Sequence, residues 1–415
     1  MTTDTGSRPG PAGSISVLAV RAGDAMRRWP WWLQVSALYV AARLASACIF
    51  MAAALQQGTN PWFPAKPDYW NFINIWDARW YGEVISNGYP AALPVDAAGN
   101  VQENAWAFYP LFPFLGRALS TLTGVAPAAA LTIVAMLSGL GAALAIYSLF
   151  RHKAPHSTAM WAVAFFATFP VSGILQVPYA EPLTILLLAA ALLLVIRRQY
   201  YAAMPVVLLM CLSRPVGVPF AALVGLLFVY RLVQRSRGSG PQVHSPRELG
   251  ALAALTALSG AAALIWPAAA WATTGDIEAY TKTETVWRGH DLVPFKPWFD
   301  TGIQLFGPVL GVLAPFVFAA LFALMLFSPP VVKLGVELRL WCACYMAYLL
   351  LFLHPQTSTF RMLLPLFPLA LGAAVLSRSR AYRGTVIVMF ILLQIVWIVW
   401  LWAWAQLPGG GDYPP

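Results

Sequence analysis

The chain has 415 residues, of which 60% are hydrophobic and only 10% charged, and it carries a formal net charge of +10. A soluble domain is about a quarter charged, so this composition excludes an ordinary soluble enzyme and indicates an integral membrane protein. The positive charge excludes a nucleic-acid partner by its distribution, because Arg and Lys sit in short tracts between apolar stretches, where they set membrane orientation.

In chain order, residues 1–30 are Gly-, Pro- and Ser-containing with Arg21, Arg27 and Arg28 near their end, and they read as a disordered basic cytoplasmic lead. A helix needs about 20 residues to cross a bilayer. Apolar stretches predict spans near 31–55, 126–150, 158–177, 180–196, 200–213, 215–230, 249–272, 303–327, 338–353, 362–377 and 384–404, about eleven in all. The short pair at 200–230 fits a hairpin of short helices equally well. Their apolar runs are continuous where a barrel would alternate, so the expected fold is an all-α polytopic membrane protein. Residues 31–404 form a single transmembrane domain, with external segments at 56–125 and 273–302, a cytoplasmic linker at 231–248 and a flexible external tail at 405–415. Trp, Tyr and Pro in the first external segment suit the headgroup level and predict an interfacial helix there.

This threading places 17 of the 26 basic residues on the cytoplasmic side, Arg8, Arg151, Arg198, Arg231 and Arg378 among them. The acidic residues, Asp77, Glu83, Glu103, Glu181, Asp276, Glu284, Asp291 and Asp412 among them, fall on the other face. The predicted location is therefore the cell membrane, multi-pass, with the site extracytoplasmic, or lumenal in the endoplasmic reticulum of a eukaryote. Cys48, Cys211, Cys342 and Cys344 lie in apolar stretches without ligand spacing, and predict neither a disulfide framework nor a zinc site.

Four polar positions stand out. In Trp76-Asp77-Ala78-Arg79-Trp80-Tyr81 a carboxylate is packed among indoles and a phenol; desolvation favours a carboxylate as proton acceptor near neutral pH, while pairing with Arg79 or helix capping explains the same residue without chemistry. Glu181 directly precedes Pro182, which suits the first turn of a helix, so dipole electrostatics and function account for it about equally. Arg214 and Arg361 adjoin apolar sequence, and a basic residue at membrane depth marks a site unless it snorkels; a guanidinium can hold a phosphate at two points. His354 could add a donor. Arg43, inside the first span, has no role in this scheme. The segment Thr273–Arg288 mixes acids, hydroxyls and aromatics, as a carbohydrate-facing surface or a solvated loop does. No P-loop, dinucleotide fingerprint, zinc motif or Gly-x-Ser-x-Gly elbow is present.

In order along the chain, Trp76-Asp-Ala-Arg-Trp-Tyr-Gly82 with Gly88-Tyr89, Ala107-Phe-Tyr-Pro-Leu-Phe-Pro113, Phe169-Pro-Val-Ser172, Tyr179-Ala-Glu181, Ser213-Arg214 with Gly217, Gly275-Asp276 with Trp287, and Phe360-Arg361 with Pro365 resemble the PIG-V-type mannosyltransferases of the GT-C glycosyltransferase class. The resemblance implies an inverting transferase that takes mannose from a polyprenyl-phosphate donor to a hydroxyl of a lipid, a glycan or a protein. It implies Asp77 as catalytic base and the other motif positions, Trp76, Arg79, Trp80, Tyr81, Tyr179, Glu181, Asp276 and Trp287 among them, around the substrates; the residues themselves point to Arg361 and Arg214 at the donor phosphate, with His354 beside the substrates. It implies no particular cofactor and leaves a divalent cation open, although the tandem Asp-x-Asp of some relatives, which would favour a tightly bound one, has no counterpart here. Membrane lipids are the other expected partners, and oligomeric state is left open. The competing readings are a lipid or lipid-linked sugar transporter or flippase without chemistry, and an accessory subunit. Against the transporter stand the polar cluster at one face and the lack of a midplane acidic relay.

Overall fold

The structure, a computed structural model, describes residues 28–238, 244–288, 292–406 and 415. The expected N-terminal lead up to residue 27, the linker centre at 239–243, Asp291 and the tail at 407–414 with Asp412 lie outside the described residues, as does the side chain of Arg288.

The chain opens with α1 (Trp31–Ala54), and α2 (Tyr69–Ile73), α3 (Asp77–Asn87) and α4 (Leu111–Thr123) follow in the expected loop 56–125 before α5 (Pro127–Arg151). Next come α6 (His156–Thr168), a 3-10 turn (Ser172–Gln176), α7 (Glu181–Ile196), α8 (Tyr200–Cys211), α9 (Gly217–Ser236) and α10 (Pro246–Thr274). The chain ends with α11 (Ala279–Arg288), α12 (Lys296–Leu326), α13 (Pro329–Val332), α14 (Gly335–Phe352), a 3-10 segment (Thr357–Leu366), α15 (Pro368–Leu376) and α16 (Arg380–Trp397), which runs into a π turn (Ile398–Trp402). Among the described residues the only β pairing is an isolated bridge between Val95 and Val101. The all-helical class is as expected.

The boundaries follow local chemistry. Ser245 accepts from the Glu248 amide at 3.1 Å with Pro246 at the first helical position, which starts α10 and shortens the expected linker. Gly275, at φ 76°, ends that helix in a left-handed conformation that a side chain would resist.

Among the described residues seven helices are long and apolar enough to cross a membrane, eight if the bent pair Thr357–Leu366 and Pro368–Leu376 counts as one broken span. The expectation of about eleven counted every apolar run as a crossing. The run at 158–177 breaks after Thr168 into the 3-10 turn, α7 and α8 are shorter than a crossing, and the run at 362–377 bends by 76°. The run at 303–327 lies within α12, whose Gly307 has φ 78° and ψ 174°, so the chain folds back there. Trp298 stacks on Phe318 and Gly302 meets Gly311, where a Cβ on Gly302 would sit 2.4 Å from the Gly311 carbonyl oxygen. Only glycine permits that approach.

The core of the body is formed by α5 against α7, α9 against α10 and α6 against α15, with α1 packed on α5 and α6. Breaks inside such an apolar body expose carbonyls that lipid cannot satisfy. Arg43 answers one of these breaks. Its guanidinium, 6% exposed, donates to the Ala167 and Ser172 carbonyls and to Ser172 Oγ, at the end of α6. Gln394 joins from α16, donating to Ser172 Oγ at 2.9 Å and accepting from Ser46 at 2.7 Å. The arginine without a role in the sequence is thus a clamp on unwound backbone. Arg43→Met is expected to lower stability by about 1–3 kcal/mol for each buried acceptor left without a donor, read as a fall in the thermal midpoint in detergent; an unchanged midpoint would remove the clamp from this account.

Charges collect at the two ends of the bundle. At one end Arg231 donates to Glu248 at 3.1 Å and to Glu337 at 3.2 Å, Arg198 donates to Glu248 at 3.2 Å, and Lys153 pairs with Glu337 at 3.5 Å. Glu181 opens α7 while Arg198 follows its last turn, and Arg214 precedes α9 while Arg231 lies near its end. Glu181 and Arg214 therefore sit at the opposite end from that network.

Candidate functional site

The site begins at a strained residue. Trp76 has φ 59° and ψ −129°, a region that costs a bulky residue about 1–3 kcal/mol. It is held by its own side chain: the indole Nε1 donates to the Trp402 carbonyl at 2.8 Å and its ring meets Trp62 edge-on at 5.2 Å. Trp402 in turn donates to the Phe72 carbonyl at 2.9 Å. The π turn at the end of α16 thereby fixes the entry to α3, and Asp77 becomes the first residue of that helix, where the dipole favours an anion. Its backbone N–H donates to the Tyr179 hydroxyl at 3.2 Å.

The Asp77 side chain accepts from Arg361, not from Arg79. Arg361 Nη1 also donates to Glu181 Oε1 at 3.1 Å, and that oxygen accepts from Arg214 Nη1 at 2.7 Å. Two carboxylates and two guanidinia, from the start of α3, the start of α7, the α8–α9 corner and the 3-10 segment before α15, thus form one neutral quartet. Arg361 is 8% exposed and lies over the Tyr179 ring at 5.4 Å, so it does not snorkel. Arg214 turns inward as well, its Nη2 3.4 Å from Met362 Sδ. Glu181 Oε2 and Arg361 Nε are buried without hydrogen-bond partners among the described residues, so the quartet retains one acceptor and one donor.

The quartet borders a cavity of about 940 Å³, lined by Asp77, Arg214 and Arg361 and by the expected Trp76, Arg79, Trp80, Tyr81, Trp287 and His354. Arg79 lies over the Trp62 ring at 5.9 Å. Tyr179, fully buried, lies behind the quartet, and Glu181 reaches the site through its arginines.

Asp276 lies apart from the other expected residues. It accepts from Lys282 Nζ at 2.8 Å and from the Glu278 amide at 2.8 Å, which holds its carboxyl below the usual range, with the lysine the larger cause; it turns the chain into α11 and does not line the cavity. Composition cannot separate a turn-forming aspartate from a ligand-facing one. The sequence reading did not single out Trp62, Glu103, Glu284 and Tyr348, which also line the cavity. Glu284 was recoverable, since residues 280, 284 and 287 share one face of a helix; Trp62 and Glu103 carry no local signal. Among the described residues no three His, Cys, Asp or Glu side chains converge on one point.

No family model matches the chain, and no curated protein matches it. In outline it is similar to an archaeal oligosaccharyltransferase. The Archaeoglobus fulgidus oligosaccharyltransferase crystal structure in complex with Zn and sulfate aligns at 14% identity and a TM-score of 0.44, covering 87% of this chain and 53% of that one. The same enzyme tethered with an acceptor peptide containing the NVT sequon aligns at 13% identity and 0.42, covering 87% and 55%. The chain spans about half the length of these structures.

Proposed function

We propose that the protein is an integral-membrane inverting glycosyltransferase of the GT-C class that transfers a hexose, mannose by resemblance, from a polyprenyl-phosphate donor to a hydroxyl of a lipid or glycan. The observation that carries the reading is the buried Asp77–Arg361–Glu181–Arg214 quartet at the wall of a large cavity. A carboxylate and two guanidinia beside one another supply the two needs of such a reaction, a proton acceptor and stabilisation of a departing phosphate.

In this reaction Asp77 takes the proton of the acceptor hydroxyl, and the oxygen forms a bond to the anomeric carbon from the face opposite the phosphate. The bond from that carbon to the phosphate oxygen breaks, and its electron pair leaves with polyprenyl phosphate. Arg361 and Arg214 receive the growing charge in a site where water is scarce. The donor phosphate competes with Asp77 for Arg361, so seating the donor releases the base that the next step needs. Glu181 keeps both guanidinia in place while this exchange occurs. The site faces the extracytoplasmic side, which the basic network at the opposite end of the bundle supports.

The test is transfer in proteoliposomes, with labelled polyprenyl-phosphate mannose and a total lipid extract. A labelled glycolipid that depends on the protein is the expected result. Movement of intact donor across the bilayer without product would replace this reading with the flippase.

A further inference from the structure

The quartet occupies one wall of the cavity, and the other wall has a chemistry the proposed reaction does not use. Ligand sites of about 300–1,000 Å³ hold a drug-sized molecule; at about 940 Å³ this one has room for a second group beside a sugar phosphate. Trp80 is stacked on Phe108 at 5.5 Å and 11°, and Trp287 stands edge-on to both, at 5.3 Å and 78° to Trp80 and 5.6 Å and 84° to Phe108. Two indoles at nearly a right angle make a rigid corner. The Trp287 Nε1 is buried without a partner among the described residues.

Each indole also has a glutamate three residues from it on its own helix, hence on the same face. Glu83 accompanies Trp80 on α3, and Glu284 accompanies Trp287 on α11; all four line the cavity. A flat aromatic face beside a carboxylate acceptor is the arrangement that reads a sugar ring, because axial C–H groups lie on the aromatic face while the hydroxyls at the ring edge donate to the carboxylate. A peptide backbone would bring its own N–H and C=O groups against the indoles and leave them unsatisfied.

We infer that the Trp80–Trp287 corner, with Glu83 and Glu284, is a subsite for a pyranose ring of the acceptor, so that the hydroxyl receiving the transferred sugar belongs to a carbohydrate. The inference rests on reading the quartet as the reaction centre. Trp80 follows Asp77 by three residues, about 4.5 Å of helix rise, which sets a ring on the indole within one turn of the base.

The experiment is saturation-transfer NMR on the full chain in nanodiscs, with methyl α-D-mannopyranoside as probe and D-mannitol and a capped Ala-Thr-Ala peptide as comparisons. Saturation of the ring C–H protons in the pyranoside, weak or absent in the other two, is expected. Affinity should fall by about two- to tenfold in Trp287→Ala and by less in Trp287→Phe, as aromatic contact worth about 0.5–1.5 kcal/mol implies. Equal saturation of the open-chain polyol or the peptide, no saturable pyranoside signal, or an unaltered Trp287→Ala would overturn the subsite. If Trp287→Ala does not fold, Glu284→Gln serves, with weakened pyranoside binding expected and unchanged binding counting against it. Pyranoside binding that depends on Trp287 in a protein that makes no labelled product would retain the subsite and reject the transferase. Product formed by Trp287→Ala with the acceptor KM of the wild type would do the reverse.

Discussion

Asp77→Asn lowers transfer by about 10²–10⁴-fold, the usual contribution of a positioned general base, and leaves the protein folded. Asparagine keeps the size of the side chain and its place at the first residue of α3, and it still offers an oxygen to Arg361. What it loses is the negative charge and the ability to take a proton. The fold should tolerate this, because Glu181 remains as counter-charge to Arg361 and Arg214, and the Trp76 anchor on Trp402 does not involve the carboxylate. The loss of an anion at a helix start costs about 0.3–1 kcal/mol, and the charge imbalance left at Arg361 adds to it, staying below the about 3–5 kcal/mol of a broken buried pair because Glu181 still balances the guanidinium. Initial rates with labelled donor, set beside thermal midpoints, separate the two effects. Activity above about a tenth of wild type would move the base elsewhere in the cavity, and Glu181 would be the next candidate, since its Oε2 has no partner among the described residues.

The quartet shows what one sequence can and cannot reveal about such a site. Asp77, Glu181, Arg214 and Arg361 each stood out alone, because a charged residue beside apolar sequence is costly in lipid. Their meeting was not legible: Asp77 and Arg361 are 284 residues apart, and local pattern carries no information at that range. Arg43 stood out by the same rule and had no role until the break after Thr168 brought its carbonyls into view. The helical class followed from continuous apolar runs, but the number of crossings did not, because hydropathy does not register a reversal at Gly307 or a bend of 76° before Pro368. The aromatic cavity wall was visible in part. Trp80 and Trp287 lay in recognisable motifs, whereas Trp62 is placed by contact with Trp76 and Trp404, which only the folded chain supplies.

Arg361 separates the electrostatic and the chemical parts of the site. Arg361→Met leaves Asp77 without its cation and removes one of the two that Glu181 holds. Removing one partner of a buried ion pair costs about 3–5 kcal/mol, so this variant should show the largest fall in thermal midpoint of any substitution in the quartet. If uncompensated charge is the cause, neutralising the partner should reverse part of the effect, and Arg361→Met with Asp77→Asn should be more stable than Arg361→Met alone. Additive losses would mean that the arginine contributes by packing on Tyr179, the ring beneath it. Arg361→Lys keeps the charge and should keep the fold, since one ammonium can donate to both Asp77 and Glu181 as the single Nη1 does, yet it cannot hold a phosphate at two points. Its kcat/KM for the donor should fall by about 10–100-fold, the scale of one charge-assisted hydrogen bond. A lysine variant with wild-type donor kinetics would take Arg361 out of the phosphate site and leave Arg214 to hold the donor.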